Sequence, residues 1–102
     1  MSAVARGEKH DQAKDRWDLV PWKAMVLVVR VLTKGAEKYA PDNWKKVPEW
    51  KTRYLSAAFR HLSAYGAGEQ NDSEWNLPHL AHASCCILFL LAMELESVGG
   101  SA

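Results

Sequence analysis

The sequence predicts an all-α fold: a small helical bundle of about three helices with an N-terminal arm, completed by oligomerisation. Three observations carry this reading. Apolar residues recur at helical spacing in three separate stretches. Prolines stand where first turns would open, and glycines where last turns would close. The β-branched run VLVVRV (26–31) has the composition of a strand, but no partner strand is visible elsewhere in the chain.

At 102 residues the chain is one domain, divided into an arm (1–17), a helical domain (18–98) and a short tail (99–102). The arm is polar, lacks apolar period and is expected to begin disordered. The first helix is expected over 21–39. Pro21 fits its first turn, and Val20, Met25, Val28, Val29, Leu32, Ala36 and Tyr39 lie along one side. PDNWKKVP (41–48) is a connection rich in turn residues. Pro48 opens a second helix over 48–66, with Tyr54, Leu55, Ala58, Phe59, Leu62 and Tyr65 on its apolar side and Gly66 and Gly68 at its end. Pro78 opens a third helix over 78–96, which Gly99 and Gly100 should stop.

The third helix raises a problem of burial. ASCCILFLLAM (83–93) is apolar on every side, and such a helix must be covered on every side. Two other helices and an arm cannot do that, and five tryptophans exceed what one small core holds. A homo-oligomer, dimer or tetramer, with third helices packed on a second copy answers both points.

Composition excludes several classes. A net charge of +1 and the lack of an arginine-rich tail argue against a nucleic-acid polymer as partner. The N-terminus has no apolar core of a signal peptide, and Ala83–Met93 is too short to span a bilayer, so no membrane partner is expected. Cys85 and Cys86 are adjacent, point about 100° apart on a helix and cannot bridge each other. They read as reduced packing residues, consistent with a cytoplasmic location.

Chemistry concentrates in RHLSAYGAGEQNDSEWNLPHLAH (60–82). His79 and His82 share a helix face, and a helical hairpin brings His61 beside them. The connecting loop adds Glu69, Asp72 and Glu74. Histidine with carboxylate suits a divalent metal such as Mn, Co or Zn, and carboxylates alone suit Mg. His61, His79 and His82 with an acid from Glu69, Asp72 or Glu74 could together form such a site. Taken singly, each of these residues also has an ordinary structural explanation: a turn, a helix start or a dipole contact. A second set is cationic. Lys14, Arg16, Lys38, Arg53 and Arg60 could bind the phosphates of a small molecule, with Arg53 and Arg60 on one face of the second helix. Lys45, Lys46 and Lys51 read as solvated surface. Trp17, Trp44, Trp50 and Trp75 lie in the arm or in loops and could stack on a nucleobase, Trp17 and Trp44 above all, or pin the arm to the bundle.

KHDQAKDRWDLVP (9–21), LTKGAEKYAPDNW (32–44), RHLSAYGAGEQNDSEW (60–75) and LPHLAHASCCILFLLAMEL (77–95) occur in the order and spacing of a small bacteriophage family. The chain resembles the dATP/dGTP diphosphohydrolase N-terminal domain family, itself similar to the all-α nucleoside triphosphate pyrophosphatases of the MazG type. Lys9, Asp11, Lys14, Arg16, Asp18 and Pro21 match its first block, and Gly35, Lys38, Tyr39, Asn43 and Trp44 its second. Arg60, His61, Gly68, Glu69, Asp72, Glu74, His79 and His82 match the rest. The chain departs from the pattern at Ala13, where the family has glycine, and at Trp75-Asn76, where it has Ser-Gly. It also lacks the ExxE and ExxD acidic signatures of MazG helices. The resemblance implies metal-dependent hydrolysis of a purine (deoxy)nucleoside triphosphate to monophosphate and pyrophosphate, with His61, His79, His82 and Glu69 as metal ligands and Glu74 and Asp72 as catalytic carboxylates, Glu74 being a candidate base. The rival reading is a phage protein that sequesters a nucleotide signal of host defence without turnover. Acids near the phosphates would favour the enzyme, since they would repel the ligand of a pure binder.

Overall fold

The computed structural model describes residues 7–10 and 12–101. The expected disorder at the start of the arm concerns residues that lie outside this range. Helix α1 spans Trp22–Lys38, α2 Trp50–Gly66 and α3 His79–Ser101, with 3-10 turns at Trp17–Leu19 and Asn43–Lys46. Among the described residues there is no strand, and VLVVRV lies inside α1. The all-α expectation and its three helices hold.

Each boundary has a local cause. Pro21 caps α1, its carbonyl accepting the N–H groups of Ala24 and Met25. Helix α2 starts two residues later than Pro48 suggested, because Glu49 takes a left-handed φ of 54° and interrupts the helical run. Its end follows the glycines: the chain leaves α2 at Gly66, and Gly68 takes a φ of 100° that any side chain would resist. At the start of α3 the Pro78 carbonyl accepts from Ala81 and His82. The other end corrects the sequence reading, since α3 runs through Gly99 and Gly100 to Ser101. Glycine lowers helix propensity by only about 1 kcal/mol, which does not oblige a stop.

Helix α3 is the centre of the molecule, and both α1 and α2 lean against it. Val28 and Val31 of α1 meet Ala81 and Cys85 of α3, with Met25, Leu27, Leu32, Trp75, Leu77 and Phe89 packed around them. The Cys85 thiol donates to the Val28 carbonyl at 3.4 Å. Both cysteines are buried and free, as expected. The buried apolar residues are all small or medium in size, and among the described residues no large side chain is fully enclosed.

Apolar surface remains on every helix. Trp22, Val26 and Val29 are exposed on α1, and Leu55, Phe59 and Leu62 on α2. On α3 the exposed set is Leu80, Ile87, Leu88, Leu91 and Leu95. The apolar side expected for α2 therefore divides, with Ala58 inward and Leu55, Phe59 and Leu62 outward. The apolar part of α3 is also longer than Ala83–Met93: by length and composition alone residues 79–97 match a membrane span, and 28% of that stretch is buried within the chain.

Candidate functional site

The loop between α2 and α3 is organised around Asp72. Its Oδ2 accepts the N–H groups of Glu74 at 2.9 Å and Trp75 at 2.8 Å, and its Oδ1 accepts that of Leu77 at 2.9 Å. Its own N–H donates to the Leu77 carbonyl, and its carbonyl accepts from Asn76. Burial alone would raise the Asp72 carboxyl, but the N–H donors of Trp75 and Leu77 and the His82 ring outweigh it and hold it well below the usual carboxylate range. The folded loop delivers that carboxylate to α3, where His82 Nε2 lies 2.9 Å from Oδ1.

The three histidines converge as the spacing suggested. His79 and His82 are buried near the start of α3, and His61 reaches them from the last turns of α2. His61 Nδ1 is 2.9 Å from His79 Nδ1, and His79 Nε2 is 2.7 Å from Glu69 Oε1. The His61 and His82 rings stack with centroids 4.5 Å apart and planes 9° apart. His82 stacks in turn on Trp75 at 5.5 Å, and Lys38 Nζ lies 5.9 Å from the Trp75 ring while bonding Glu74 Oε2 at 2.9 Å. That bond raises the Lys38 ammonium above its ordinary value. His61 is pushed down to about 4, first by burial and then by His82, His79 and Arg60 around it, with Asp72 opposing.

These contacts pair the donors rather than gather them. Among the described residues no three histidine, cysteine or carboxylate groups converge on a point that a metal ion would fill. The expected set of His61, His79, His82 and Glu69 has its atoms facing one another in two chains, one from Glu69 through His79 to His61 and one from Asp72 to His82. A histidine-caged metal of the zinc type does not fit this arrangement.

Beside the cluster lies a cavity of about 600 Å³, within the usual range for small-molecule sites. It opens where α1 and α2 lean on α3 without closing on each other. Val31, Leu32, Gly35 and Ala36 form the α1 wall, where a Cβ on Gly35 would meet nothing within 4 Å. Tyr54 and Phe89 form an aromatic end with Trp44, whose ring stacks on Phe89 at 4.8 Å. Arg53, Arg60, His61 and His82 supply the polar wall, and Cys86 also lines it.

The predicted residues therefore separate into groups. Arg53, Arg60, His61, His82 and Trp44 line the cavity. Glu69, Asp72 and His79 stand behind that wall, and Glu74 and Lys38 form an exposed pair beside it. Lys14, Arg16 and Trp17 are not brought to the cavity: Arg16 pairs locally with Asp18 at 2.7 Å, and Trp17 is 73% exposed. The acids do not line the cavity either, apart from Asp42. Tyr54 and Phe89 lie at helical spacing and read as core in the sequence, whereas Trp75 is one of the loop tryptophans and does reach the cavity. Burial raises both thiols, Cys85 to about 12, in keeping with packing rather than reactivity.

The sequence profile of the family described as dATP/dGTP diphosphohydrolase, N-terminal, matches residues 4–101. The chain belongs to this family. A protein of Salmonella phage PMBT28 named dATP/dGTP diphosphohydrolase is 33% identical over 84 residues, which make up 82% of this chain and 28% of the phage protein. The chain thus spans little more than a quarter of that relative's length. No solved structure matches it. The two departures from the family's glycines are informative in three dimensions. Ala13 has a φ of 72° and Asn76 a φ of 54°, so the backbone keeps a glycine-like conformation where the side chain has changed.

Proposed function

We propose that the chain binds a purine nucleoside triphosphate in the cavity between α1, α2 and α3 and hydrolyses it to monophosphate and pyrophosphate in the presence of a divalent metal. The observation that carries this reading is the cavity's mixed aromatic and cationic lining. Trp44, Tyr54 and Phe89 offer an aromatic end for a base, and Arg53 and Arg60 offer fixed positive charge for phosphates. The name of the Salmonella phage relative supports the same chemistry. A divalent metal would enter on the triphosphate, which needs few protein ligands when the ion is Mg. The setting is the cytoplasm of the host cell, with no membrane or nucleic-acid polymer as partner.

We also propose that the working form is a dimer or tetramer. The exposed Ile87, Leu88, Leu91 and Leu95 on α3 and Leu55, Phe59 and Leu62 on α2 supply the apolar faces.

One observation favours the rival reading. Glu69, Asp72 and Glu74 do not line the cavity, and Asp42 is the one acid among the lining residues, so a ligand held beside Arg53, Arg60 and the imidazoles would meet little repulsion. A protein that only sequesters a nucleotide needs no more. Incubation with a panel of nucleotides and Mg, Mn, Co or Zn, with products resolved by chromatography, separates the readings. Monophosphate plus pyrophosphate is the expected result. Nucleotide retained intact would make the chain a binder, and no retention would remove both readings.

A further inference from the structure

The Glu69–His79–His61 chain is longer than orientation of one histidine requires, and its direction follows from hydrogen-bond chemistry. The Glu69 carboxylate can only accept, so His79 Nε2 carries a proton and donates across 2.7 Å. In a neutral His79 ring Nδ1 then accepts, and the proton of the 2.9 Å contact belongs to His61 Nδ1. A neutral His61 is left with a lone pair on Nε2. Among the described residues no buried side-chain nitrogen or oxygen lacks a partner. Among the described residues nothing bonds His61 Nε2, so that atom is not fully enclosed, and His61 lines the cavity beside Arg60. At the other end Glu69 has a side chain 58% exposed, while His79 between them is 8% exposed. The chain thus connects the cavity to solvent through a buried ring.

We propose that Glu69, His79 and His61 form a proton relay that takes the proton of the attacking water out of the cavity. This rests on the hydrolysis reading above. As the water oxygen bonds to the α-phosphorus, its proton passes to His61 Nε2. The His61 Nδ1 proton moves to His79 Nδ1, and the His79 Nε2 proton moves to Glu69. The bond from the α-phosphorus to the pyrophosphate oxygen breaks, and its electron pair leaves with pyrophosphate. Glu69 gives its proton to bulk water. Once the products have left, solvent protons return the two rings to their starting tautomers, with His61 Nε2 losing its proton to water. The relay answers a specific difficulty. His61 is enclosed by Arg60, His79 and His82 and is a poor place to keep a positive charge. Passing the proton on leaves neither ring charged.

Glu69→Gln is the decisive variant. Glutamine keeps the length and can still accept from His79 Nε2 through its amide oxygen, but it cannot take up a proton. The exposed position makes a folding defect unexpected. With protein labelled with nitrogen-15 at histidine, long-range proton–nitrogen spectra of the wild type should show His61 protonated at Nδ1 alone and His79 at Nε2 alone. Glu69→Gln should lower kcat at least tenfold, with KM and nucleotide retention within twofold of wild type. A His61 ring protonated at Nε2 would overturn the relay, because its direction would be reversed. So would a Glu69→Gln protein that cleaves nucleotide at the wild-type kcat, and in that case hydrolysis itself would stand. A wild type that retains nucleotide without cleaving it would remove the hydrolysis reading and the relay together.

Discussion

The two halves of α3 reverse what their hydropathy suggests. The first, around His79 to Cys86, carries two histidines and is mostly inside, with His79, Ala81, His82, Ala83, Cys85 and Cys86 all buried. The second, from Ile87 to Leu95, is nearly pure hydrocarbon, yet Ile87, Leu88, Leu91 and Leu95 are exposed. Covering chain explains the difference. The polar half is met by α1, by α2 and by a loop whose carboxylates accept from its imidazoles, so polar groups can be enclosed without being orphaned. Beyond Phe89 one chain has little left to cover the helix. Burying a Leu or Ile side chain is worth about 1.5–3 kcal/mol, so a second copy laid over those four residues would gain several kcal/mol.

The sharpest way to break this comparison is to unsettle the polar half. Asp72→Ala removes the acceptor of three backbone N–H groups and of His82 at once. Removing one member of an enclosed charged network costs about 3–5 kcal/mol, and urea unfolding should show a loss of that order. On the apolar half, Leu91→Glu should leave the fold intact and dissociate the proposed oligomer, as read by light scattering against wild type. If both proteins are monomers of equal stability, α3 is not the contact surface.

Acid should also act through the polar half. His61 is depressed to about 4 when folded, below its ordinary value near 6.5, so the unfolded chain binds more protons between those values. Stability from this residue is fully present above about pH 6.5 and is lost as pH falls toward 4. Asp72 is depressed too, so its contribution is present above the ordinary carboxylate range near 4 and is lost below it. The two losses run in the same direction. Thermal melts across pH 7 to 3 should show falling stability in two stages, and His61→Gln should remove the upper one. A smaller effect separates the two cysteines. Cys85 is enclosed and donates to Val28, whereas Cys86 borders a cavity that already exists. Urea unfolding should show that Cys85→Ala costs about 1–2 kcal/mol and Cys86→Ala less.

Local chemistry made much of this legible in the sequence. Helix spacing located α1, α2 and α3, because apolar period reports which side of a helix is covered. The convergence of His61 with His79 and His82 followed from a hairpin and a three-residue spacing. The atom-level pairing did not. Whether three histidines face a common point or face one another depends on side-chain rotation, which spacing does not carry. The same limit hid the cavity, since a gap between α1 and α2 is a property of their separation and of small residues such as Gly35 and Ala36. The arm misled in another way. Lys14 and Arg16 have the charge for phosphate binding, but Asp18 is two residues away and satisfies Arg16 locally.

The loop between the helices offers the finest comparison, because its shape can be altered while its chemistry is kept. Asn76 stands where the family has glycine, with a φ of 54°. Asparagine tolerates the left-handed region better than most residues, and here its side-chain oxygen also accepts from Asn71 Nδ2 at 3.2 Å. Asn76→Gly relaxes the backbone but loses that bond and adds entropy to the unfolded chain, so the net change should stay within about 0.5 kcal/mol. Asn76→Val keeps a side chain of similar size but forces a β-branched residue into the left-handed region, at about 1–2 kcal/mol. The strain would act beside Leu77, whose N–H and carbonyl both bond Asp72. Asn76→Val should therefore also disturb the hold of Asp72 on His82, whereas Asn76→Gly should not. Proton–nitrogen spectra of the His82 ring check this: a His82 signal unmoved by Asn76→Val would mean that Asp72 holds the ring independently of the loop's backbone shape.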